Sequence, residues 1–326
     1  MKLRTFFLMT VTCGAMTMVT NVGLAGPPHP STFSIVAADP EAGEVGIAVA
    51  SKFFAVGTVV PHAIADVGAV ATQSFANTTY GPRGLELLSK GLTPDEVLTV
   101  LLRDDEDRGR RQVGVVSAGG SSATYTGEGC IEWAGGRHGP GYAVQGNILE
   151  GADVVAEMER AFLDSEGKPL AERLYAALQA GDGAGGDSRG RQSAAILVVR
   201  ARGGYAGFTD RAIDVRVDDH ADPFAEIGRL LGLALVNDYW NRGWTAFTEE
   251  RYPEALSWQQ RATSMAEQHA RMLPEVLYDL AVIQLANGAR DEALEVLRRS
   301  LALNPKLAGA ARKDADLEGL WAEIGE

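Results

Sequence analysis

Thr32 opens a short uncharged run, Thr32-Phe33-Ser34-Ile35-Val36-Ala37. A second such run, Val45 to Ala50, follows the turn Asp39-Pro40-Glu41-Ala42-Gly43 and leads into Ser51 and Lys52. Apolar and β-branched residues on either side of an Asp-Pro and Gly turn predict a β-hairpin, and the lack of charge predicts that both faces of both strands are covered. A threonine that leads such a strand can act as a nucleophile when its own backbone amine is free. The amine, with a pKa of about 8, takes the hydroxyl proton, and the hydroxyl attacks an amide carbonyl. This chemistry needs the hydroxyl to open into a cleft between two sheets. The alternative is a threonine that begins a strand and has no further role.

Other catalytic chemistries lack their residues. The five histidines, His29, His62, His138, His220 and His269, are scattered, and no pair has ligand spacing, so no metal site is expected. No Gly-x-Ser-x-Gly elbow and no phosphate loop occur, and no Gly-x-Gly-x-x-Gly opens a helix after a strand, so no cofactor is expected. Residues 181–190, with Asp182 and Asp187, are glycine-rich enough to imitate a binding loop; a flexible turn is the competing reading. Cys13 sits in the N-terminal apolar stretch, which leaves Cys130 alone in a mature chain and rules out an internal disulfide. At the turn Gly127-Glu128-Gly129-Cys130 this thiol is expected to be structural rather than catalytic.

A formal net charge of -13 argues against nucleic acid and against an anionic membrane surface as partner, because both need clustered Lys and Arg. The expected partner is a small-molecule or peptide-like substrate. Lys2 and Arg4, an uncharged stretch over residues 6–24, and the small-x-small site Gly23-Leu24-Ala25 make a secretory pattern. Residues 1–25 are therefore expected to be a signal peptide and 26–31 a spacer, with the mature protein exported to the periplasm or outside the cell. An uncleaved anchor is the alternative, since the stretch reaches the ~20 residues needed to span a bilayer.

The rest of the chain supplies the elements that would position Thr32. Strands are expected at 58–60, 67–72, 112–116, 122–126, 142–145, 194–200 and 210–217. Helices are expected at 84–88, from Thr93-Pro94-Asp95-Glu96 onward, at 151–163 and at 169–178. Thr93 reads as an N-cap, Pro94 as the first helical residue, and Asp95 and Glu96 as first-turn carboxylates. Strands in meanders with helices in paired blocks predict a layered α+β fold over residues 32–220 rather than strict βαβ alternation. From about Asp222 the pattern is helical, so residues 221–326 are expected to form an all-α tail. Two amphipathic helices around Gly288, stopped by Asn304-Pro305, resemble a tetratricopeptide repeat. Residues 243–267 look like a degenerate preceding copy, giving about two repeats. So short an array is expected to pack on the first domain or on a protein partner, and self-association into a homo-oligomer is compatible with it.

Six ordered stretches resemble the bacterial family known as domain of unknown function 1028, which is grouped with the N-terminal nucleophile (Ntn) hydrolases. They are Thr32-Phe33-Ser34-Ile35-Val36-Ala37, Gly46-Ile47-Ala48-Val49-Ala50-Ser51-Lys52, Ala71-Thr72-Gln73-Ser74-Phe75-Ala76-Asn77, Tyr80-Gly81-Pro82-Arg83-Gly84, Gly141-Tyr142-Ala143-Val144-Gln145-Gly146-Asn147 and Gly185-Gly186-Asp187-Ser188-Arg189-Gly190-Arg191-Gln192-Ser193-Ala194. The resemblance implies a four-layer αββα sandwich and singles out the polar residues in these stretches. Thr32 becomes the candidate nucleophile. Lys52 either sits near Thr32 and lowers the local pKa or is simply exposed. Asn77 and Asn147 are candidate catalytic amides and Gln73 a candidate substrate contact; amides at strand ends donate to oxyanions, and they also form turns. Asp187, Arg189 and Arg191 either orient a substrate carboxylate or form ion pairs that hold their loop.

Two functions follow. One is an exported amidohydrolase that cuts a small amide or peptide-like bond. Family members that begin Met-Thr expose the threonine directly, whereas here a second cleavage, between Ser31 and Thr32, is required. The other is a non-catalytic envelope protein that binds a ligand or acts as a scaffold, with its tail docking a partner.

Overall fold

The computed structural model describes residues 32–323, so the expected signal peptide (1–25) and spacer (26–31) lie outside the described residues. β1 (Thr32–Asp39) and β2 (Glu44–Ser51) form the expected hairpin, and both are buried along almost their whole length. Gly43 closes the turn with a left-handed φ of 65°, and the Ala42 N–H donates to Asp39 Oδ1 at 3.1 Å. Next come β3 (Pro61–Ile64), β4 (Gly68–Ser74), α1 (Tyr80–Ser89) and α2 (Pro94–Arg103). β5 (Arg111–Ser117), β6 (Ser122–Thr126), β7 (Gly135–Gly139) and β8 (Tyr142–Asn147) lead to the helices α3 (Ala152–Asp164) and α4 (Leu170–Gly183). β9 (Ser193–Val199) and β10 (Arg211–Val217) complete the strands. All pairings are antiparallel. One sheet has six strands in the order β10-β9-β2-β1-β8-β7, and the other has four in the order β3-β4-β5-β6.

Side chains alternate across a strand, so each strand feeds two packing surfaces. From β1, Phe33, Ile35 and Ala37 pack with Met158 and Phe162 of α3 and with Leu174 and Leu178 of α4. Val36 and Ala38 point the other way. They meet Ile47 and Val49 of β2, Ala69 and Ala71 of β4 and Val116 of β5 in a cluster between the sheets. On the opposite face of the four-stranded sheet, Val70, Val113 and Val115 pack against Leu85 of α1 and Val97 and Leu101 of α2. Each fully buried Leu, Ile or Phe contributes roughly 1.5–3 kcal/mol.

α2 starts as its sequence predicts. Glu96 N–H donates to Thr93 Oγ1 at 3.4 Å, and Glu96 Oε2 accepts the Thr93 N–H at 2.8 Å, a reciprocal capping box behind Pro94. Three expectations shift. The strand expected at 58–60 is a turn, because a 3-10 helix at Val56–Thr58 forms after Ala55 takes a φ of 53°, and the strand begins at Pro61 instead. β7 was not expected: Gly-Gly-Arg-His-Gly carries no apolar alternation, and it becomes a strand only by pairing with β8. α4 runs on through Gly181 to Gly183, so the first three residues of the expected glycine-rich loop are helix.

The tail is helical, as expected: α5 (Pro223–Thr248), α6 (Tyr252–Ala266), α7 (Leu273–Ala286), α8 (Arg290–Leu303) and the short α9 (Ala308–Ala311). Asp222 Oδ1 caps α5 by accepting the Ala225 N–H at 3.1 Å. Gly243 lies inside α5 rather than at the start of a helix, and it lets α6 approach closely: a Cβ there would stand 2.9 Å from Gln259 Oε1. Ala281 and Val282 of α7, Ala293 and Leu297 of α8 and Ala311 of α9 form a cluster of their own with Leu317 and Leu320, but the start of the tail shares the first domain's core. Phe224, Ile227, Leu231 and Leu235 of α5 belong to the same apolar cluster as α3, α4, Ile213 of β10 and Ile196 of β9. Among the described residues, no helix is long and apolar enough to cross a membrane.

Candidate active site

Thr32, Ser34 and Val36 share one face of β1, the one turned toward the four-stranded sheet. The register sets Phe33 opposite Ala50 and Thr32 opposite Asn147, so Thr32 lies between the last residue of β2 and the last residue of β8. Its Oγ1 donates to Ser51 Oγ at 3.3 Å. Its carbonyl accepts Gln73 Nε2 at 3.1 Å and Asn147 Nδ2 at 3.5 Å.

Gln73 and Asn147 are part of a buried amide network that joins the two sheets. Both donate to Gln112 Oε1, at 2.8 and 3.0 Å. Ser34 Oγ donates to Gln73 Oε1 at 2.6 Å and accepts Gln145 Nε2 at 2.7 Å. Gln112 Nε2 donates to Gly146 O at 2.7 Å and Thr126 Oγ1 at 2.9 Å. Gly114 makes room for this network: a Cβ there would lie 2.3 Å from Gln145 Oε1. A buried, connected network of this kind rigidifies its surroundings. Immediately after Gln73 and Asn147, Ser74 and Ile148 adopt left-handed φ values of 68° and 53°. That conformation is a genuine outlier for a β-branched residue, and such outliers gather where geometry is functionally constrained.

Ser51 lines a cavity of about 260 Å³ together with Phe33, Ala50, Asp182, Asp187 and Arg191. The remaining wall includes Phe224 of α5, whose ring stacks on Phe33 at 6.2 Å between centroids. Thr32 itself is 0% exposed. This corrects the expectation of a hydroxyl open to a cleft: Ser51 carries the wall of the cavity, and Thr32 lies one hydrogen bond behind it.

The other expected residues fall in three places. Lys52 is exposed. Its ammonium donates to Arg191 O at 3.1 Å and its N–H to Asp187 Oδ2 at 2.6 Å, so its bonds run to the 187–191 loop and not to Thr32. Asp187 is buried and accepts the Arg189 guanidinium at 3.0 Å, while Arg191 forms a two-point pair with Asp182 at 2.7 and 2.6 Å. That pair holds Arg191 more firmly protonated than usual. These contacts fasten the loop to the end of β2 beside the cavity. Asn77 lies elsewhere. Its Oδ1 accepts the Thr79 hydroxyl at 2.6 Å at the start of α1, and its Nδ2 donates to Asp105 at 3.4 Å. Arg111 and Tyr80 also bind Asp105, and these bonds hold its carboxyl far below the usual range. Cys130 is buried, which pushes its thiol pKa up, as suits a structural residue. Among the described residues no group of three His, Cys, Asp or Glu could hold a metal ion.

Ser34, Ser51, Gln112 and Gln145 were missed by the sequence reading. Period-two alternation was the available signal: each is a polar residue at a position whose strand neighbours two residues away face the inter-sheet core.

Comparison with known proteins bears on this region directly. The chain is similar to the crystal structure of protein SPO2555 from Silicibacter pomeroyi, described as DUF1028, with 30% identity and a TM-score of 0.57. The match covers 63% of this chain and 86% of that one. No curated protein matches. A family model, "Family of unknown function (DUF1028)", matches residues 32–227, from Thr32 through the first turns of α5. With well over half of the chain spanned by that model, and the buried amide network and its cavity inside the span, the protein belongs to the DUF1028 family.

Proposed function

We propose that the protein is an exported amidohydrolase of the N-terminal nucleophile type, cutting a small amide or peptide-like bond with Thr32. The carrying observation is the position of Thr32. It leads an inner strand of the six-stranded sheet, on the inter-sheet face, one 3.3 Å hydrogen bond from a cavity wall. The three apolar clusters support reading residues 32–220 as a four-layer αββα sandwich, with helices outside both sheets. The helix pairs α5–α6 and α7–α8 are read as a tetratricopeptide-like tail.

In this reading, hydrolysis of the Ser31–Thr32 bond frees the Thr32 amine. The amine takes the proton from Oγ1, Oγ1 bonds to the substrate carbonyl carbon, and the proton passes to the leaving nitrogen as the C–N bond breaks. Water then hydrolyses the ester and regenerates Thr32. Ser51 orients the hydroxyl. Gln73 and Asn147 fix the Thr32 carbonyl, and so the angle at which the strand presents its first residue. Asp187, Arg189, Arg191 and Lys52 hold the cavity rim in shape.

The test is intact-mass analysis of protein recovered from the periplasm, followed by treatment with a β-lactone electrophile. The expected result is a mature chain starting at Thr32 that gains one adduct, with none on Thr32→Ala. A fully active chain that still carries residues 26–31 overturns the reading, as does unchanged turnover in Thr32→Ala.

Two observations favour the second reading, a non-catalytic envelope binding or scaffold protein: Thr32 is completely buried, and both loop arginines are already paired within the chain. Under it, Thr32→Ala behaves like the parent, and the tail docks a protein partner or a second copy.

A further inference from the structure

A larger cavity, about 550 Å³, lies where the β9–β10 connection meets α5 and α6, outside the site described above. Two of its lining residues, Arg200 and Arg242, belong to an ion-pair tetrad. Arg200 binds both Glu44 and Asp238, at 2.5 and 2.8 Å, and Arg242 binds the same two carboxylates at 2.5 and 2.8 Å. Both acids are buried, and the tetrad is neutral as a unit. It is not saturated: Arg242 bonds through Nε and Nη2, which leaves Nη1 with two N–H groups and no acceptor among the described residues.

Arg202 also lines the cavity. It takes a left-handed φ of 55°, is exposed, and has a backbone bond to Asp210 but no carboxylate partner for its guanidinium among the described residues. Arg251, by contrast, is paired with Glu249 and Glu254. The other charged side chains of the lining are paired, so Arg202 and Arg242 Nη1 are the spare donors that this cavity offers.

Two indoles line the cavity, Trp244 at 41% exposure with Phe247 stacked on it at 5.2 Å, and Trp258. An exposed indole on a cavity wall offers a flat apolar face to a ligand. The volume suits a molecule of drug-like size rather than an inorganic ion.

The geometry points to a second ligand site here, for an organic anion with a flat apolar ring system. The oxyanion pairs with Arg202 and Arg242 Nη1, and the ring lies against Trp244. Arg guanidinium groups favour planar oxyanions through parallel N–H bonds, and an indole face favours a flat apolar partner.

Isothermal titration of the mature full chain with 1-naphthoate tests this, with 1-naphthalenemethanol as the neutral counterpart and inorganic phosphate as the ringless anion. The expected result is saturable one-to-one binding of naphthoate, at least tenfold tighter than either control. Arg202→Gln and Trp244→Ala, both at exposed positions, each weaken it at least tenfold while the far-UV spectrum stays unchanged. Absent saturation, equal binding of the neutral alcohol, phosphate as tight as naphthoate, or parental affinity in both variants overturns the assignment.

Discussion

Thr32 Oγ1 donates to Ser51 Oγ across the β1–β2 register at 3.3 Å, and Ser51 is the member of the pair that reaches the cavity. Ser51→Ala keeps the strand pairing and removes the acceptor. In the proposed reaction the hydroxyl then loses its orientation, and kcat falls about 10- to 100-fold, while stability drops by about 1 kcal/mol. Steady-state kinetics beside a urea melt measures both. A parental kcat would detach Ser51 from the chemistry.

Gln73 is the hub of the buried network, with bonds to Ser34, Thr32 O, Gln112 and Gln145 O. Gln73→Ala strands several of these groups away from water, and each such orphan costs about 1–3 kcal/mol. The expected loss is therefore several kcal/mol in chemical denaturation, well beyond that of Asn77→Ala, whose side chain bonds to exposed Thr79 at the start of α1 and, at 3.4 Å, to Asp105. A milder effect at Gln73 than at Asn77 would contradict the network.

Asp279 on α7 accepts Trp240 Nε1 at 2.6 Å. Burial raises its carboxyl to about 6, the Trp240 bond opposes this, and Asp314 adds to it. The folded state therefore holds this proton more tightly than the unfolded chain does. The resulting stability is fully present below about pH 4, the ordinary carboxyl range, and is lost as pH rises through about 6. Asp279→Asn should raise the melting temperature at pH 7.5 by more than at pH 4.5. Equal shifts at the two pH values would remove the titration from the account.

Leu231 of α5 is buried in the cluster that also holds Leu174 and Ile196. Because tail and sheets share this core, Leu231→Ala should cost about 2–5 kcal/mol and shift sheet and helix signals together. Far-ultraviolet and aromatic circular dichroism followed through one denaturation check this. Two separate transitions, with only the helical one moved, would mean that the tail folds independently.

The amino-acid order alone was enough for features that depend on near neighbours. The β1–β2 hairpin follows from two uncharged runs around a Gly43 turn, α2 from its Thr93 and Pro94 start, and the helical tail from its periodicity. Family membership was legible too, because six ordered stretches recur together. Partners distant in the chain were decided by packing. Gln112 and Gln145 look ordinary until two sheets bring them to Gln73 and Asn147. Asn77 resembles a site amide, but the end of β4 carries it away to Asp105. Lys52 and Ser51 are adjacent, and the register chose Ser51 as the neighbour of Thr32. Phe224, on the tail side of the expected boundary, fills a wall of the cavity. The physical reason is common to all of these: strand alternation assigns a face to each residue, but only the pairing of distant strands and the docking of α5 determine what that face meets.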